Sequence, residues 1–330
     1  QSKEALLGLT TQLDVPLDFL HLGLNDLTVN TDFEILRGEF KNNYQDETPI
    51  NYSLMTTKIY PSYKFTISDF SIRSGVQLAL SLDTENSSTN FLVYPELVIK
   101  KPIVKNYLNI YAGYTGNLKT NTYKSFTEEN PYISPTLFIT QTSEKSNIFL
   151  GLNGKLSNNF SFNLKASLKD EEDKPLYFKN NSKSNGTTSL LSSIVLKGYE
   201  YGNSFDVYYD DIKTTTFFAE LAYDFTRRIV FNATIQHDSY TTTNSLEAFN
   251  LPTLQASFSV KYKSNKWYAS TNIFYVDERT DVFYNSQFQS SLAGIQNLDS
   301  FVDVNLNGGY HFNSKFSTFL RVVTFSKESD

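Results

Sequence analysis

The 330-residue sequence contains no cysteine, a single tryptophan and three histidines. The lack of cysteine excludes disulfides, thiolate metal sites and a cysteine nucleophile. Glycine (14 residues) and proline (9 residues) are scarce, which argues against a disordered or collagen-like chain. No stretch approaches the ~20 apolar residues of a transmembrane helix. The chain is instead rich in phenylalanine (27 residues) and tyrosine (22 residues).

The net charge and the mean hydropathy narrow the classes of partner and of environment that the chain can have. The formal net charge is −6 and the isoelectric point is about 5.3. Because nucleic-acid-binding proteins usually carry a basic face, no nucleic-acid partner is predicted. Mean hydropathy is −0.35. That value is compatible with a membrane β-barrel, since only alternate strand residues face lipid while the lumen and loops are polar.

Alternation of apolar and polar residues runs through most of the chain. Successive strand side chains point to opposite faces, so each alternating run has one apolar and one polar face. Short and long polar connections also alternate along the sequence, as in up-and-down outer-membrane barrels. Four similar hairpins, each with aromatics beside a tight polar turn, lie at 148–169, 217–236, 255–276 and 301–323.

These patterns predict an all-β fold, a transmembrane antiparallel up-and-down β-barrel of about 14–16 strands. Because composition does not change along the chain, residues 1–330 are predicted to form a single outer-membrane barrel domain. The predicted strands include 18–37, 133–143, 146–156, 203–212 and 214–225. The predicted long loops include 84–90, 170–187 and 279–298.

Strand length and aromatic placement favour the membrane over a soluble β-propeller or large sandwich. Most predicted strands reach the ~9–11 residues that cross a bilayer, whereas strands of soluble proteins average about five or six. Taken singly, each turn aromatic could be a hairpin core residue, but repetition at four turns favours a headgroup-level girdle. The predicted girdle residues are Phe160, Tyr223, Phe225, Tyr262, Trp267, Tyr310, Phe312 and Phe316.

The polar faces of the same strands predict the barrel lumen. Its charges are mixed, and many Ser, Thr and Asn residues accompany them. Phe149, Phe218 and Phe319 fall on this face too, which indicates a lumen partly filled by side chains or a loop. The predicted lumen-facing residues are Lys155, Lys165, Glu220, Asp224, Arg228, Lys261, Asp303 and Arg321.

Two motifs contain the residue types of a functional site, but neither has the arrangement that such a site requires. His237, Asp238 and Ser239 contain the residue types of a hydrolase triad, but neighbouring strand residues point to opposite faces. The acidic run 170–173 offers hard oxygen ligands for Ca²⁺ but lacks the ligand spacing and glycine of a defined loop. No catalytic, cofactor-binding or metal-ligating residue is therefore predicted, and the protein is predicted not to be an enzyme.

Two segments resemble the barrel part of TonB-dependent-receptor-like outer-membrane proteins of Gram-negative bacteria. The first, 111–168, contains the loop ENPYISP and the hairpin around SNN; the second, 301–322, resembles the late strands. The resemblance implies a barrel in the outer membrane. The family's N-terminal plug has no counterpart in the sequence, so energised uptake is not predicted. Phe325 is followed by SKESD, unlike the terminal aromatic that usually ends such barrels.

Two functions remain open at this stage. One is a channel or transporter for small solutes. The alternative is a structural or accessory barrel subunit of an outer-membrane complex for protein insertion, secretion or nutrient uptake. Both place the protein in the outer membrane of a Gram-negative bacterium, in contact with lipid and lipopolysaccharide. Other outer-membrane proteins or lipoproteins are further candidate partners.

Overall fold

The computed structural model describes residues 2–15, 27–45, 48–105, 107–184, 195–284 and 292–324. Most of them are in β-strands. The strands are β1 (Lys3–Val15), β2 (Leu27–Phe40), β3 (Ile50–Ile67), β4 (Phe70–Asp83), β5 (Ser88–Val104), β6 (Leu108–Thr120), β7 (Gln141–Ser157), β8 (Phe160–Lys179), β9 (Phe205–Thr226), β10 (Ile229–Thr242), β11 (Leu254–Lys263), β12 (Trp267–Val276), β13 (Arg279–Tyr284), β14 (Leu292–Leu298), β15 (Phe301–His311) and β16 (Ser317–Val323). One helix, α1 (Tyr123–Glu129), and a 3-10 turn at Gly198–Glu200 complete the described elements.

Fourteen strands form a single antiparallel sheet in which neighbours in sequence are neighbours in space. Its order is β1 to β12, then β15 and β16, and β13 pairs with β14 as a separate hairpin. Strand β9 alone has 22 residues, about twice the length that a membrane crossing requires. The predicted fold class, an antiparallel up-and-down β-barrel of about 14–16 strands, is confirmed. No helix among the described residues is long and apolar enough to cross a membrane.

The two faces of the sheet differ in what they expose. On the outer face, large apolar side chains such as Leu150, Leu168 and Phe217 are more than half exposed. On the opposite, inner face, polar side chains such as Thr56 and Gln77 are buried. Burial of polar groups and exposure of apolar ones is the reverse of a soluble protein, and it suits a barrel wall between lipid and lumen.

The connections fall into two classes at opposite ends of the sheet. Turns of two residues join β3 to β4, β7 to β8 and β9 to β10 at one end, which we name the short-turn end. The other end, the long-loop end, carries the connections 121–140, 180–204, 243–253 and 277–300. The link between β4 and β5, predicted as a long loop at 84–90, is a short turn at that same end.

Several predicted boundaries were wrong. The predicted strands 203–212 and 214–225 are one strand, β9, and β8 continues through the predicted loop 170–187 as far as Lys179. The backbone ladder with β9 accounts for this continuation, because residues 174–179 pair with residues 205–210. The predicted loop 279–298 contains the hairpin β13–β14. Part of the predicted strand 18–37, together with Phe325, lies outside the described residues.

Aromatic rings on the inner face cover glycines of the neighbouring strand. In each case the glycine and the aromatic are direct cross-strand partners, and a Cβ added to the glycine would collide with the ring. Such pairing shields backbone that glycine leaves bare and fixes the register. It also accounts for Phe149, one of the three aromatics assigned to the lumen face. The pairs are Gly38–Tyr52, Gly113–Phe149, Tyr111–Gly151 and Tyr268–Gly309.

We expect Gly38→Ala to destabilise the barrel by ~1–3 kcal/mol, because the new methyl group must displace the ring of Tyr52. The matched control is Gly8→Ala on the adjacent strand, where no described atom lies within 4 Å of the added Cβ. Urea midpoints of the folded fraction, read from heat-modifiable migration in gels, measure the difference. Equal midpoints for the two variants would contradict the pairing.

The facing assignment gives a second prediction. Phe231 stacks between Tyr223 and Phe258 on the outer face, with ring centroids 6.3 and 6.2 Å apart. The next residue, Asn232, points inward, where its amide donates to Ser259 at 3.4 Å. Phe231→Arg should therefore cost ~1 kcal/mol of insertion free energy, since Phe231 pairs with Tyr223 near the short-turn end, whereas Asn232→Arg should be tolerated. The folded yield in lipid vesicles checks this, and equal losses would refute the assignment.

Candidate functional site

The connection between β6 and β7 turns inward and fills part of the lumen. We name residues 121–140 the inward segment. Its side chains Phe126, Ile133, Leu137 and Ile139 are buried in one apolar cluster. The cluster also contains inner-face residues of β2 and β3, namely Leu36, Phe40, Tyr52 and Leu54. These strand residues lie on the inner face of the sheet, opposite to the exposed apolar side chains. The inward segment that packs against them therefore lies inside the barrel.

A carboxylate on β1 fixes the start of the inward segment. The Glu4 Oε2 atom accepts hydrogen bonds from the Tyr123 N–H at 2.7 Å and from the Tyr52 hydroxyl at 2.9 Å. Its Oε1 atom accepts from the Lys124 N–H at 3.2 Å. These are the first amides of α1, which have no partner within the helix. A further cap comes from Thr122, whose hydroxyl accepts from the Ser125 N–H.

A buried polar network joins both ends of the inward segment to the wall. At its start, the Thr120 hydroxyl donates to Glu34 on β2 at 2.6 Å. At its end, the Gln141 amide donates to Thr56 at 2.7 Å and its carbonyl accepts from Ser81. Asn121, fully buried, bridges the two ends by donating to the Thr140 carbonyl at 2.9 Å. These side-chain hydrogen bonds add to the apolar cluster in holding the segment against the wall.

The far side of the inward segment packs against the ends of β8 and β9 at the long-loop end; we name 174–179 with 205–212 the β8–β9 extension. The Ser134 N–H donates to the Phe205 carbonyl at 2.9 Å, and the Phe205 N–H donates to the Tyr132 carbonyl at 3.0 Å. The Tyr209 hydroxyl donates to the Phe138 carbonyl at 3.1 Å. The inward segment thus lies between the β2–β3 wall and the β8–β9 extension.

The opposite side of the extension carries two other loop-end elements. Asp210 accepts hydrogen bonds from the Asn244 and Ser245 N–H groups at 3.0 and 2.8 Å, which anchors loop 243–253. Asp281 on β13 accepts from the Lys179 N–H at 3.1 Å, which holds the β13–β14 hairpin against β8. The inward segment and these two elements therefore flank the extension.

A polar cleft of about 890 Å³ opens between these elements and β10. Its walls are the end of β10, loop 243–253 and the stretch from Asp277 to Thr280. The lining is mostly hydroxyl and carboxylate groups. We name it the β10–β13 cleft. Its volume lies in the range of small-molecule sites, which are about 300–1,000 Å³.

Hydrogen bonds and an ion pair keep two carboxylates at the long-loop end, Glu200 and Asp277, ionised. Burial raises the pKa of Glu200, but the Lys183 ammonium at 2.8 Å and the Lys197 N–H at 2.6 Å outweigh it, so the net pKa lies below its usual value. In the β10–β13 cleft, the Glu278 N–H and the Thr253 and Tyr275 hydroxyls lower the pKa of Asp277. Both carboxylates are therefore anionic at neutral pH.

Seven of the eight residues predicted to face the lumen lie on strands, and those on β7, β8 and β11 are opposite in parity to exposed apolar side chains such as Leu150, Leu168 and Phe258. Lys165 lies on β8 with its ammonium 4.7 Å from the centre of the Phe149 ring. Asp303 on β15 accepts from the Asn305 amide at 3.0 Å. Arg228 lies in the turn between β9 and β10 instead of on a strand. The others are Lys155 on β7, Glu220 and Asp224 on β9, Lys261 on β11 and Arg321 on β16.

The predicted girdle residues lie at the short-turn end, where several form ring contacts. Trp267 and Tyr310 are cross-strand partners with centroids 4.6 Å apart, and Phe312 contacts both Tyr310 and Phe316. Phe160 and Tyr223 pair across β8 and β9 at 6.1 Å, and Phe225 contacts Tyr223. Tyr262 on β11 pairs with Ile229 and Ala269. Their role as a headgroup girdle stays a prediction.

The two chemical motifs have structural roles. On β10, Asp238 is buried and accepts from Thr216 at 2.6 Å and Gln236 at 2.7 Å, while His237 lies on the other face. The acidic run 170–173 lies within β8, where Lys145 and Lys213 approach it from neighbouring strands. Within the described ranges, no group of three His, Asp or Glu side chains is placed to hold a metal ion. His21 lies outside those ranges.

The sequence prediction missed the inward segment. The predicted strand 133–143 is wrong over most of its length, because Ile133, Leu137 and Ile139 pack into the lumen cluster and β7 begins only at Gln141. The spacing of Thr122 and Ser125 was the available signal, since a capping box marks the start of a helix.

Comparison with known proteins identifies the fold. No protein-family model and no curated protein matches the sequence. The pyoverdine outer membrane receptor FpvA from Pseudomonas aeruginosa aligns with a TM-score of 0.63 at 14% identity, over 98% of this chain and 48% of the receptor. The siderophore receptor PirA from Acinetobacter baumannii gives 0.62 at 13%, over 98% of this chain and 50% of the receptor. The FrpB iron transporter from Neisseria meningitidis gives 0.60 at 11%, over 94% and 48%.

At these identities the similarity establishes the fold. The chain has the β-barrel fold of TonB-dependent outer-membrane receptors, so the resemblance noted in its sequence is confirmed. It spans about half the length of the solved receptors that it matches.

We expect Glu4→Ala to loosen the inward segment, because two amides of α1 lose their acceptor at a cost of ~1–3 kcal/mol each if they stay buried. Faster hydrogen exchange at Tyr123 and Lys124 measures the effect. Glu39→Ala on β2 is the matched control, since its exposed carboxylate only pairs with Lys3 at 3.5 Å. Unchanged exchange in Glu4→Ala would contradict this role.

Proposed function

We propose that the protein is a non-enzymatic transport barrel of the Gram-negative outer membrane that passes small solutes and is restricted by its own inward segment. The fold supports this proposal, since the solved structures that it matches are receptors and transporters. The outer face also suits lipid. It carries an apolar groove around Leu97, Leu150 and Phe217 in which acyl chains can pack.

The observation that carries the proposal is how the inward segment is held. It fills the lumen beside β2 and β3, yet its polar anchors Glu4, Glu34 and Gln141 are side chains of the wall. Hydrogen bonds to the charged Glu4 and Glu34 contribute ~1.5–3 kcal/mol each, and those of the neutral Gln141 contribute ~0.5–1.5 kcal/mol each. Together with the buried side chains Phe126 and Leu137, these bonds would keep the segment in the lumen, where we propose that it sets the width of the passage.

The names of the matched proteins suggest the size of the solute. One structure shows FpvA bound to pyoverdine, and another is a copper transporter, OprC. For this chain we propose a small solute that enters from the long-loop end. That end faces the cell exterior if the barrel follows the usual arrangement of short periplasmic turns and long outer loops.

A filled lumen also favours a second candidate, a structural or accessory barrel in an outer-membrane protein complex. A related precedent is the FpvAI structure, which was solved in complex with pyocin S2. In that role the inward segment would be a permanent filling, and the surface of the long-loop end would bind protein.

Conductance in planar bilayers separates the two candidates. We expect low conductance for the native barrel and a several-fold rise when residues 123–139 are replaced by a short Gly-Ser linker, because the lumen beside β2 and β3 is then empty. The same linker in place of 243–249, on the other side of the β8–β9 extension, is the control and should change conductance little.

Heat-modifiable migration confirms that each variant is folded before it is measured. A folded linker variant that conducts no better than the native barrel would overturn the transport proposal. Stable co-purification of other envelope proteins with that closed barrel would then support the accessory role.

A further inference from the structure

The outer face of β12, β15 and β16 carries an apolar groove of about 750 Å³ near the short-turn end. Two small residues, Ala269 and Gly308, are cross-strand partners on its floor, and Leu320 and Val322 of β16 line one side. Gly308 leaves real space there, because the Tyr268 carbonyl oxygen, at 3.5 Å, is the nearest described atom that a Cβ at this position would meet. The groove therefore has the apolar lining and the room that an acyl chain requires.

Aromatic rings line the groove at its short-turn end. Trp267 and Tyr310 are cross-strand partners with ring centroids 4.6 Å apart, and Phe312 packs edge-on against Tyr310 at 4.8 Å. All three residues belong to the groove lining, and Trp267 is 58% exposed. Indole and phenol rings favour the depth of the lipid headgroups. The ring-lined end of the groove therefore suits the glycerol and headgroup region of a lipid.

Three neighbouring turns beside these rings carry positive charge and no carboxylate. They are residues 226–228, 264–266 and 312–316. Their cations, all exposed, are Arg227, Arg228, Lys266 and Lys315. The turns adjoin one another, because the Lys263 N–H donates to the Arg228 carbonyl at 2.9 Å and the His311 N–H donates to the Lys266 carbonyl at 2.8 Å. The ion pairs formed among the described residues include none of these four cations, so an external anion can reach them.

We propose that this groove binds an anionic glycerophospholipid such as phosphatidylglycerol. One acyl chain lies along Ala269 and Gly308, the glycerol lies at the rings, and the phosphate pairs with Lys266 and Lys315. Lysine side chains are long enough to reach headgroup depth, and cations beside an anionic lipid are attracted to it. Phosphate-bearing lipids occur in both leaflets of the outer membrane, and the short turns of such barrels face the periplasm, on the glycerophospholipid side. The site goes beyond transport, because lipid binding on the outer face does not require that the barrel conduct.

Trp267 provides a native probe, because it is the single tryptophan of the chain. The full chain is reconstituted in vesicles of phosphatidylcholine and phosphatidylglycerol in equal amounts, with bromine on the acyl chains of one lipid or the other to quench a neighbouring tryptophan. We expect stronger quenching by the brominated phosphatidylglycerol, equivalent to an enrichment of about threefold or more beside Trp267. The preference should disappear in Lys266→Gln with Lys315→Gln.

The matched control is Lys41→Gln with Lys119→Gln. These exposed cations lie at the long-loop end, so the control makes the same change in net charge and should keep the preference. A further variant, Gly308→Leu, places a side chain on the groove floor and should lower quenching by brominated phosphatidylglycerol. Mass spectrometry of the native chain purified from outer membranes should find a retained glycerophospholipid that the Lys266→Gln with Lys315→Gln variant loses.

Four results would overturn the proposal: equal quenching by the two brominated lipids, an unchanged preference in the variant that lacks Lys266 and Lys315, undiminished quenching in Gly308→Leu, or retained lipid A in place of a glycerophospholipid. Heat-modifiable migration shows that the variants are folded. Because none of these measurements depends on conductance, a barrel that prefers phosphatidylglycerol but does not conduct refutes transport alone. A conducting barrel without this preference refutes the lipid site alone.

Discussion

The need to satisfy every backbone N–H and C=O group within hydrocarbon governs the rest of this structure, because lipid offers neither donor nor acceptor. The chain responds with fourteen strands paired in order, so every strand of this sheet between β1 and β16 has a hydrogen-bonded partner on both edges. Since strand side chains alternate, this sheet must have one face for lipid and one for the lumen. The exposed leucines of β7 and β8 and the buried polar groups of β3 and β4 are both consequences.

The inner face must then either be covered by protein or contact water. In this barrel one region of the inner face is covered and another is open. Beside β2 and β3 the inner face is apolar, with Leu36, Phe40 and Leu54, so the inward segment covers it with Phe126 and Leu137. Where glycines would expose backbone, aromatic rings of the next strand cover them. Near β10 the lining is acidic and hydroxylated, and a cleft remains open.

Period-two alternation predicted the fold because lipid on one side makes the pattern strict in strands such as β8, β10 and β11. The same pattern gave wrong boundaries where a segment packs against another part of the protein instead of lipid. Residues 133–140 keep apolar spacing but pack inside the barrel, and residues 170–179 are polar enough for a solvated loop but form a backbone ladder with β9. The cleft was out of reach, because its carboxylates come from segments that only the sheet order brings together.

The β8–β9 extension physically connects the inward segment to the β10–β13 cleft. The Tyr177 ring packs edge-on against Phe126 at 6.0 Å, while the Tyr177 carbonyl accepts from the Asn250 amide at 2.9 Å. Asn250 also donates its N–H to Thr280 in the cleft wall. Loop 243–253, β13 and the inward segment are therefore joined through Tyr177 and Asn250, and none of the three packs independently of the others.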